Sequence, residues 1–262
     1  ALADEWAGET GDGAYDFSPL YQDIRSQIMS YDVALINQET TLGGTDDYEI
    51  SGEPSYNTPD SMADAVANAG FRVVNTNSNH TYDYWTGNIE HAQKVWEAKE
   101  TLLTIGSYAS PEDRARIRVV QRNGVRIAFL SYSSGQNGYE LTQLPNDYYA
   151  VPFVKDDAAA DIARAKTVAD AVIVSMHWGD EYTAELNADQ KDWAQWLADQ
   201  DVDLVVGTHS HNIQPVQYLT GSSGNRTPVI FGLGDFVSGW TITDTILSGI
   251  FTCDFKRQDT GR

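Results

Sequence analysis

Residues 203–211 read DLVVGTHSH, a short aliphatic run that ends in two histidines, His209 and His211. The run has the length of one buried strand. Titratable side chains directly after a buried strand cost free energy, because they lose contact with water. Five further runs of this kind are VALIN (33–37), FRVVN (71–75), VRIAFL (125–130), AVIVSM (171–176) and PVIFGL (228–233). These runs predict strands of a largely buried sheet.

Stretches with helical periodicity separate several of these runs. They cover residues 18–30, 60–69, 87–99, 156–169 and 188–199. Continuous apolar strands that alternate with helices indicate a sheet covered on both faces. The sequence therefore predicts an α/β fold with a layered sheet flanked by helices. We expect one domain over residues 1–262, because no linker, repeat or low-complexity tract divides the chain.

The composition excludes several kinds of partner. The net charge is −21, from 38 acidic and 17 basic residues, whereas nucleic acid and anionic membranes are bound by basic faces. No stretch approaches the roughly 18 consecutive apolar residues of a membrane span. The single cysteine, Cys253, cannot form an internal disulfide, and we expect it to be a buried apolar residue.

Polar side chains follow the carboxyl ends of four predicted strands. In chain order they are Glu39, then Asn79 and His80, then His177, and finally His209 with His211. Ligands bind at this edge of open α/β sheets, so we expect the four segments to form one site. Imidazole nitrogens together with carboxylate and amide oxygens suit divalent metals, and this mixture favours two ions. In an extended segment His209 and His211 would project to the same side, as two ligands require.

Simpler explanations exist for each of these residues taken alone. A histidine near a strand is more often a hydrogen-bonded residue than a ligand, and we interpret His91, on a predicted helix, in that way. Asn79 could cap a turn, and Glu39 could be solvated in a loop. The coincidence of four strand ends favours the metal site for both. Asp83 either orients the imidazole of His80 or caps the helix that follows, and both roles stay open.

Five segments in order resemble the signatures of bacterial capsule-synthesis proteins of the CapA type. They are INQET, NSNHTYD, HWGDEY, GTHSHNIQPVQ and FGLGDFV, and the resemblance extends over most of the chain. That family is linked to poly-γ-glutamate capsules and is a branch of the calcineurin-like metallophosphoesterases. The resemblance implies that fold. It also implies a place outside the cytoplasm, at the cell surface or membrane through a segment not in this chain, with capsule-synthesis membrane proteins as partners.

The resemblance also implies a role for individual residues. The implied ligands of two divalent ions, Mn, Fe or Zn, are Glu39, Asn79, His177, His209 and His211. Among them, Glu39 would bridge the ions and His211 would bind the first ion. The implied catalytic residues are His80 and Asp83, and the implied substrate-binding residues are Glu181 and Tyr182.

Three features depart from the family pattern. The superfamily's first motif, an Asp shortly after a first strand, is missing, because residues 1–16 are acidic and Gly-rich and contain no apolar run. We therefore expect that the fold lacks its first strand in this chain, that a segment before Ala1 supplies it, and that the first metal site is incomplete. In addition, Asp235 replaces the Asn that is usual in the family, and Trp85 stands where Gly is common.

Three functions are compatible with the sequence. The first is a metal-dependent hydrolase acting on a phosphoester or on an anionic capsule or envelope polymer. The second is a non-catalytic component of a polymer synthesis or export assembly, and the third is a metal-binding module that recognises an anionic polymer without cleaving it. We favour the first, since two cations can activate water and neutralise a phosphoryl group. Metal content and turnover distinguish the three.

Overall fold

The computed structural model describes residues 8–9, 15–139, 143–239 and 243–256. The chain folds into two compact units. The first consists of Ala1–Arg114 and Gly135–Val151, and the second of Ala115–Ser134 and Pro152–Arg262. The single domain expected over residues 1–262 stays a prediction.

The first unit is built around a small parallel sheet. Its elements are β1 (Gly8–Glu9), β2 (Tyr15–Asp16), α1 (Arg25–Ile28), β3 (Leu35–Asn37), α2 (Ser61–Ala69), β4 (Val73–Asn75), α3 (Trp85–Glu97), β5 (Leu103–Ile105) and α4 (Pro111–Ala115), which ends in the second unit. The strands β3, β4 and β5 pair in parallel in that order, and β1 and β2 form a separate antiparallel pair. The parallel order brings the carboxyl ends of β3 and β4 to the same edge of the sheet.

Side-chain burial explains why α2 forms a regular helix and why the helix predicted over residues 18–30 does not form. Ala63, Val66 and Ala69 recur three residues apart on α2 and are buried, and the helix ends at Gly70 in the left-handed region. The helix expected over residues 18–30 is instead a 3₁₀ turn at Ser18–Tyr21 and the single turn α1. Each of these short turns buries one large side chain, so tertiary packing and not a continuous helical face determines the local backbone.

The second unit contains a six-stranded mixed sheet. Its elements are β6 (Arg118–Arg122), β7 (Val125–Ser133), α5 (Lys155–Val168), β8 (Ala171–His177), α6 (Ala188–Asp199), β9 (Leu204–Thr208), β10 (Val216–Thr220) and β11 (Arg226–Ile230). The strand order is β10-β11-β9-β8-β7-β6, with a parallel centre and antiparallel pairs at both edges. Every residue of β8 is buried, as its continuous apolar run predicts. The predicted α/β class is confirmed.

Two further sequence expectations can be compared with the described residues. Cys253 is exposed, so the expectation that it is buried is wrong. The reason is that residues 251–256 form neither strand nor helix, and most of them are exposed. Among the described residues, no helix is both long enough and apolar enough to cross a membrane. The strand expected before Ala1 stays a prediction, and residues 1–7 and 10–14 lie outside the described residues.

Candidate metal centre

The His80 loop, residues 76–84, joins β4 to α3 in the first unit. His80 is buried, and its Nδ1 lies 2.7 Å from Oδ2 of Asp83. The same carboxylate oxygen accepts the backbone N–H of Tyr56 at 2.7 Å, and the Tyr56 ring meets the imidazole edge to face at 4.6 Å. The Asp83 carboxylate thus contacts His80 and the Tyr56 backbone, and Tyr84, the residue before α3, makes no side-chain cap. An acceptor at Nδ1 holds the proton there and makes Nε2 the nitrogen that can exchange protons.

Glu39 is tied to the His80 loop through its backbone. Ser78 Oγ donates to the carbonyl oxygen of Glu39 at 2.6 Å. The carboxylate of Glu39 lies 3.5 Å from Nδ2 of Asn37, whose Oδ1 in turn accepts from Asn75 at 2.7 Å. Asn37 and Asn75 are the last residues of β3 and β4, and sequence reasoning missed them. Their signal was available, because each is a polar residue that closes an apolar strand.

Asn79 is held by a segment that the sequence did not single out. Its Nδ2 donates to Oδ1 of Asn137 at 3.1 Å, and Nδ2 of Asn137 lies 3.4 Å from Nε2 of His80. Gln136 Nε2 donates to the carbonyl oxygen of Ser78 at 2.6 Å. The first unit therefore brings Asn79 and His80 together with two amide side chains that follow β7.

The second unit holds a pair of histidines at the ends of neighbouring strands. His177 closes β8 and His209 follows β9, with ring centroids 4.7 Å apart and one nitrogen of each within 4.8 Å of the other. Nδ1 of His177 lies 2.8 Å from Oγ1 of Thr208. Because that hydroxyl is directed at the carbonyl oxygen of Met176, 3.5 Å away, it accepts from Nδ1–H, and coordination would use Nε2.

His211 is fixed by a carboxylate and by an aromatic ring. Nδ1 lies 2.8 Å from Oδ1 of Asp235, and the Tyr182 ring stacks on the imidazole at 5.2 Å with an interplanar angle of 14°. Oε1 of Glu181 lies 3.9 Å from Nδ1 of His209 and from Nε2 of His211. The substrate-binding residues that the resemblance implies are thus direct neighbours of two of the expected ligands.

The loop that carries these histidines is not extended. β9 ends at Thr208, and His209 and His211 have φ values of +97° and +57°, while Tyr182 has +60°. The expectation that an extended segment aligns the two histidines is therefore wrong, because the chain turns directly after the strand. Despite this turn, the ring centroids of His209 and His211 lie 6.5 Å apart. Non-glycine residues with positive φ are strained, and such strain is concentrated at functional sites.

The donor chemistry of the second unit fits a divalent cation. His177 and His211 each have one nitrogen held by an oxygen, as is usual for metal-binding histidines. Oδ2 of Asp235 is buried and has no hydrogen-bond partner among the described residues. A buried carboxylate oxygen without such a partner is costly, and a nearby cation would offset that cost.

The expected residues are distributed over both units. The first contains Glu39, Asn79, His80 and Asp83, and the second contains His177, Glu181, Tyr182, His209 and His211. That the two groups form one site stays a prediction. His91, which we expected to be an ordinary hydrogen-bonded residue, has Nε2 at 2.9 Å from both carboxylate oxygens of Asp60.

The α/β fold is shared with solved structures of nucleotidases. The structure resembles NAD nucleotidase of Haemophilus influenzae with a TM-score of 0.52 and 12% sequence identity. The similarity covers 84% of this chain and 45% of that one. At this identity the likeness concerns the fold alone.

A family model described as bacterial capsule synthesis protein PGA_cap matches residues 2–240, and the chain belongs to that family. It is 30% identical over 195 residues to PGA biosynthesis protein CapA of Bacillus subtilis (strain 168), covering 73% of this chain and 49% of the relative. It is also 30% identical over 188 residues to capsule biosynthesis protein CapA of Bacillus anthracis, covering 68% and 43%. The chain spans about half the length of these curated relatives. The resemblance to the CapA family is confirmed.

Proposed function

We propose that this chain acts in the biosynthesis of poly-γ-glutamate or a related envelope polymer through a metal-dependent phosphoesterase or hydrolase site. The observation that carries the proposal is the 2.7 Å contact between Nδ1 of His80 and the Asp83 carboxylate. A protein that only binds a cation needs no oriented proton donor. A hydrolase needs one, because the leaving oxygen has to be protonated.

The ligands in this proposal are the residues that the family resemblance implies. Glu39 would be shared by two divalent ions, Asn79, His177 and His209 would hold the second, and His211 would hold the first. The nitrogen and oxygen donors suit Mn, Fe or Zn. Divalent cations bound there would neutralise charge on a phosphoryl group and activate water.

The remaining residues of the proposed site act on the substrate. His80 donates a proton from Nε2 to the leaving oxygen, and Asp83 keeps the imidazole oriented through Nδ1. Glu181 and Tyr182 contact the substrate beside His211, and the Tyr182 side chain is exposed enough to do so. The substrate in this proposal is an anionic polymer or a phosphoester.

The proposal includes a location and a set of partners. The protein acts outside the cytoplasm, at the cell surface or membrane, where a segment outside this chain attaches it. Capsule-synthesis membrane proteins are its partners in this proposal. Nucleic acid is not a partner, since the net charge of −21 opposes binding of another polyanion.

Elemental analysis of the purified chain, together with a screen of generic phosphoesters with added Mn²⁺, tests the proposal. We expect bound divalent metal and measurable turnover. Metal without turnover on any ester or anionic polymer would indicate a binding module. Neither metal nor turnover would indicate a non-catalytic component of a synthesis or export assembly, and both results would contradict a hydrolase.

A further inference from the structure

The segment that follows β7 has no part in the function proposed so far. Residues 135–138 read GQNG, and we name them the GQNG loop. β7 ends in the second unit at Ser133, but Gly135–Val151 belong to the first unit. The chain therefore leaves the large sheet and contributes this loop to the unit that contains His80.

The GQNG loop is fastened to the His80 loop by backbone and side-chain bonds. Asn137 N–H donates to the carbonyl oxygen of Asn79 at 2.9 Å, and Gln136 Nε2 donates to that of Ser78 at 2.6 Å. Gln136 is itself buried. These two bonds fix the backbone of Asn137 against Asn79, so the Asn137 side chain approaches the His80 loop from a defined position.

The carboxamide of Asn137 determines how the amide of Asn79 is turned. Oδ1 of Asn137 can only accept a hydrogen bond, and it faces Nδ2 of Asn79 at 3.1 Å. The oxygen end of the Asn79 amide is therefore turned away from Asn137. The opposite flip would set two oxygens against each other and lose the hydrogen bond. A cation binds the oxygen of an amide and not its nitrogen, so this contact selects the flip that a ligand needs.

The other end of the same carboxamide faces His80. Nδ2 of Asn137 lies 3.4 Å from Nε2 of His80, which is too long for a strong hydrogen bond. Nδ1 of His80 is already held by Asp83, so Nε2 is the nitrogen that meets a substrate oxygen. The N–H of Asn137 thus lies beside Nε2 of His80 without forming a strong hydrogen bond to it.

We propose that Asn137 is a positioning residue that presents the oxygen of Asn79 as a ligand. The ligand part of this inference rests on the proposed function. The orientation of the Asn79 amide does not, because the hydrogen bond to Asn137 exists without any ion.

Two substitutions of Asn137 separate its acceptor from its donor. Asn137→Asp keeps an acceptor for Asn79 and loses the N–H that faces His80, whereas Asn137→Ala loses both. Asn68→Ala is the matched control, since it removes an exposed carboxamide from α2 in the same unit. Melting temperatures of all variants show whether the fold is retained.

The first measurement is Mn²⁺ affinity by calorimetry, with the absorption spectrum of the Co²⁺-loaded protein. We expect Asn137→Ala to weaken binding by about 10-fold to 100-fold and to change the Co²⁺ spectrum, as loss of a residue supporting a ligand does. Asn137→Asp should bind at least as tightly as the unmodified protein. The inference would be overturned if Asn137→Ala kept the Mn²⁺ affinity and Co²⁺ spectrum of the unmodified protein. It would also be overturned if Asn137→Ala and Asn137→Asp weakened Mn²⁺ binding equally.

The second measurement needs no metal. In the metal-free protein, selective ¹⁵N labelling of asparagine reports hydrogen exchange of the Asn79 side-chain amide by NMR. We expect slow exchange in the unmodified protein and in Asn137→Asp, and fast exchange in Asn137→Ala. Equal exchange in all three would overturn the inference. If the unmodified protein binds no divalent ion, the proposed function fails, and this measurement still decides the role of Asn137.

Discussion

The loops that carry the histidines are stabilised in different ways in the two units. In the first unit, His80 is held by a hydrogen bond to Asp83 on one nitrogen, and Asn137 lies near the other. In the second unit, His209 and His211 lie on a turn with positive φ values. A proton donor needs one fixed nitrogen and one that can exchange. A metal ligand needs only a fixed direction, which a strained turn can supply.

The strain in the second unit has an energetic consequence. Each non-glycine residue in a sparsely populated backbone region costs on the order of 1–3 kcal/mol. The hydrogen bond from His211 to Asp235 and the stacked Tyr182 ring offset part of this cost. We therefore expect substitution of His80 to change catalysis, and substitutions of His209 or His211 to change metal affinity and stability.

The largest effect is expected at His80. His80→Ala should lower kcat by about 10²-fold to 10⁴-fold, because it removes the proton donor, while bound metal stays at the level of the unmodified protein. Elemental analysis and steady-state kinetics on the same preparations check this. His91→Ala is the control, since that histidine contacts Asp60 and lies outside the proposed site. Loss of metal from His80→Ala equal to that from His209→Ala would show that His80 is a ligand.

A smaller effect is expected at Asp235. Asp235→Ala should weaken binding of one ion by about 10-fold to 100-fold, because His211 loses the acceptor that orients it. Asp235→Asn should recover most of this affinity, because an amide oxygen can accept the same hydrogen bond from Nδ1. Metal titration by calorimetry measures both variants. If Asp235→Asn bound metal as weakly as Asp235→Ala, the charge of Asp235 and not its hydrogen bond would be the important property.

The smallest effect is expected at Tyr182, whose φ is +60°. Tyr182→Gly and Tyr182→Ala both remove the ring stacked on His211, but only glycine adopts this φ without strain. We expect Tyr182→Gly to be more stable than Tyr182→Ala by about 1 kcal/mol in the free energy of unfolding. Urea denaturation measures the difference. Equal stability of the two variants would show that backbone strain at Tyr182 does not distinguish the loops of the two units.

The sequence predicts the site residues better than it predicts their geometry. His177 and His209 follow apolar runs that are too continuous to be anything but buried strands, so their position at strand ends could be predicted. The turn that contains His209 and His211 could not, because a positive φ is uncommon for any residue other than glycine. Trp85 also has a positive φ of +64°, a conformation that glycine adopts without strain and that the sequence pattern does not predict for tryptophan.

Other elements were missed because their pattern is weak. β5 has three residues and β10 is an edge strand whose residues are mostly exposed, so neither forms a clear apolar run. Asn137 was missed for a different reason. The residues GQNG are typical of a turn, and a turn pattern says nothing about which distant loop its side chains will contact.

The division of the chain into two units determines when each unit can be completed during synthesis. The chain passes between the units at residues 114–115, 134–135 and 151–152. A ribosome therefore makes the His80 loop, then β6 and β7 of the second unit, and only afterwards the GQNG loop that fastens the His80 loop. The first unit cannot be complete before residue 151 has emerged. We expect nascent chains released before residue 135 to leave the His80 loop sensitive to protease, and chains released after residue 151 to protect it.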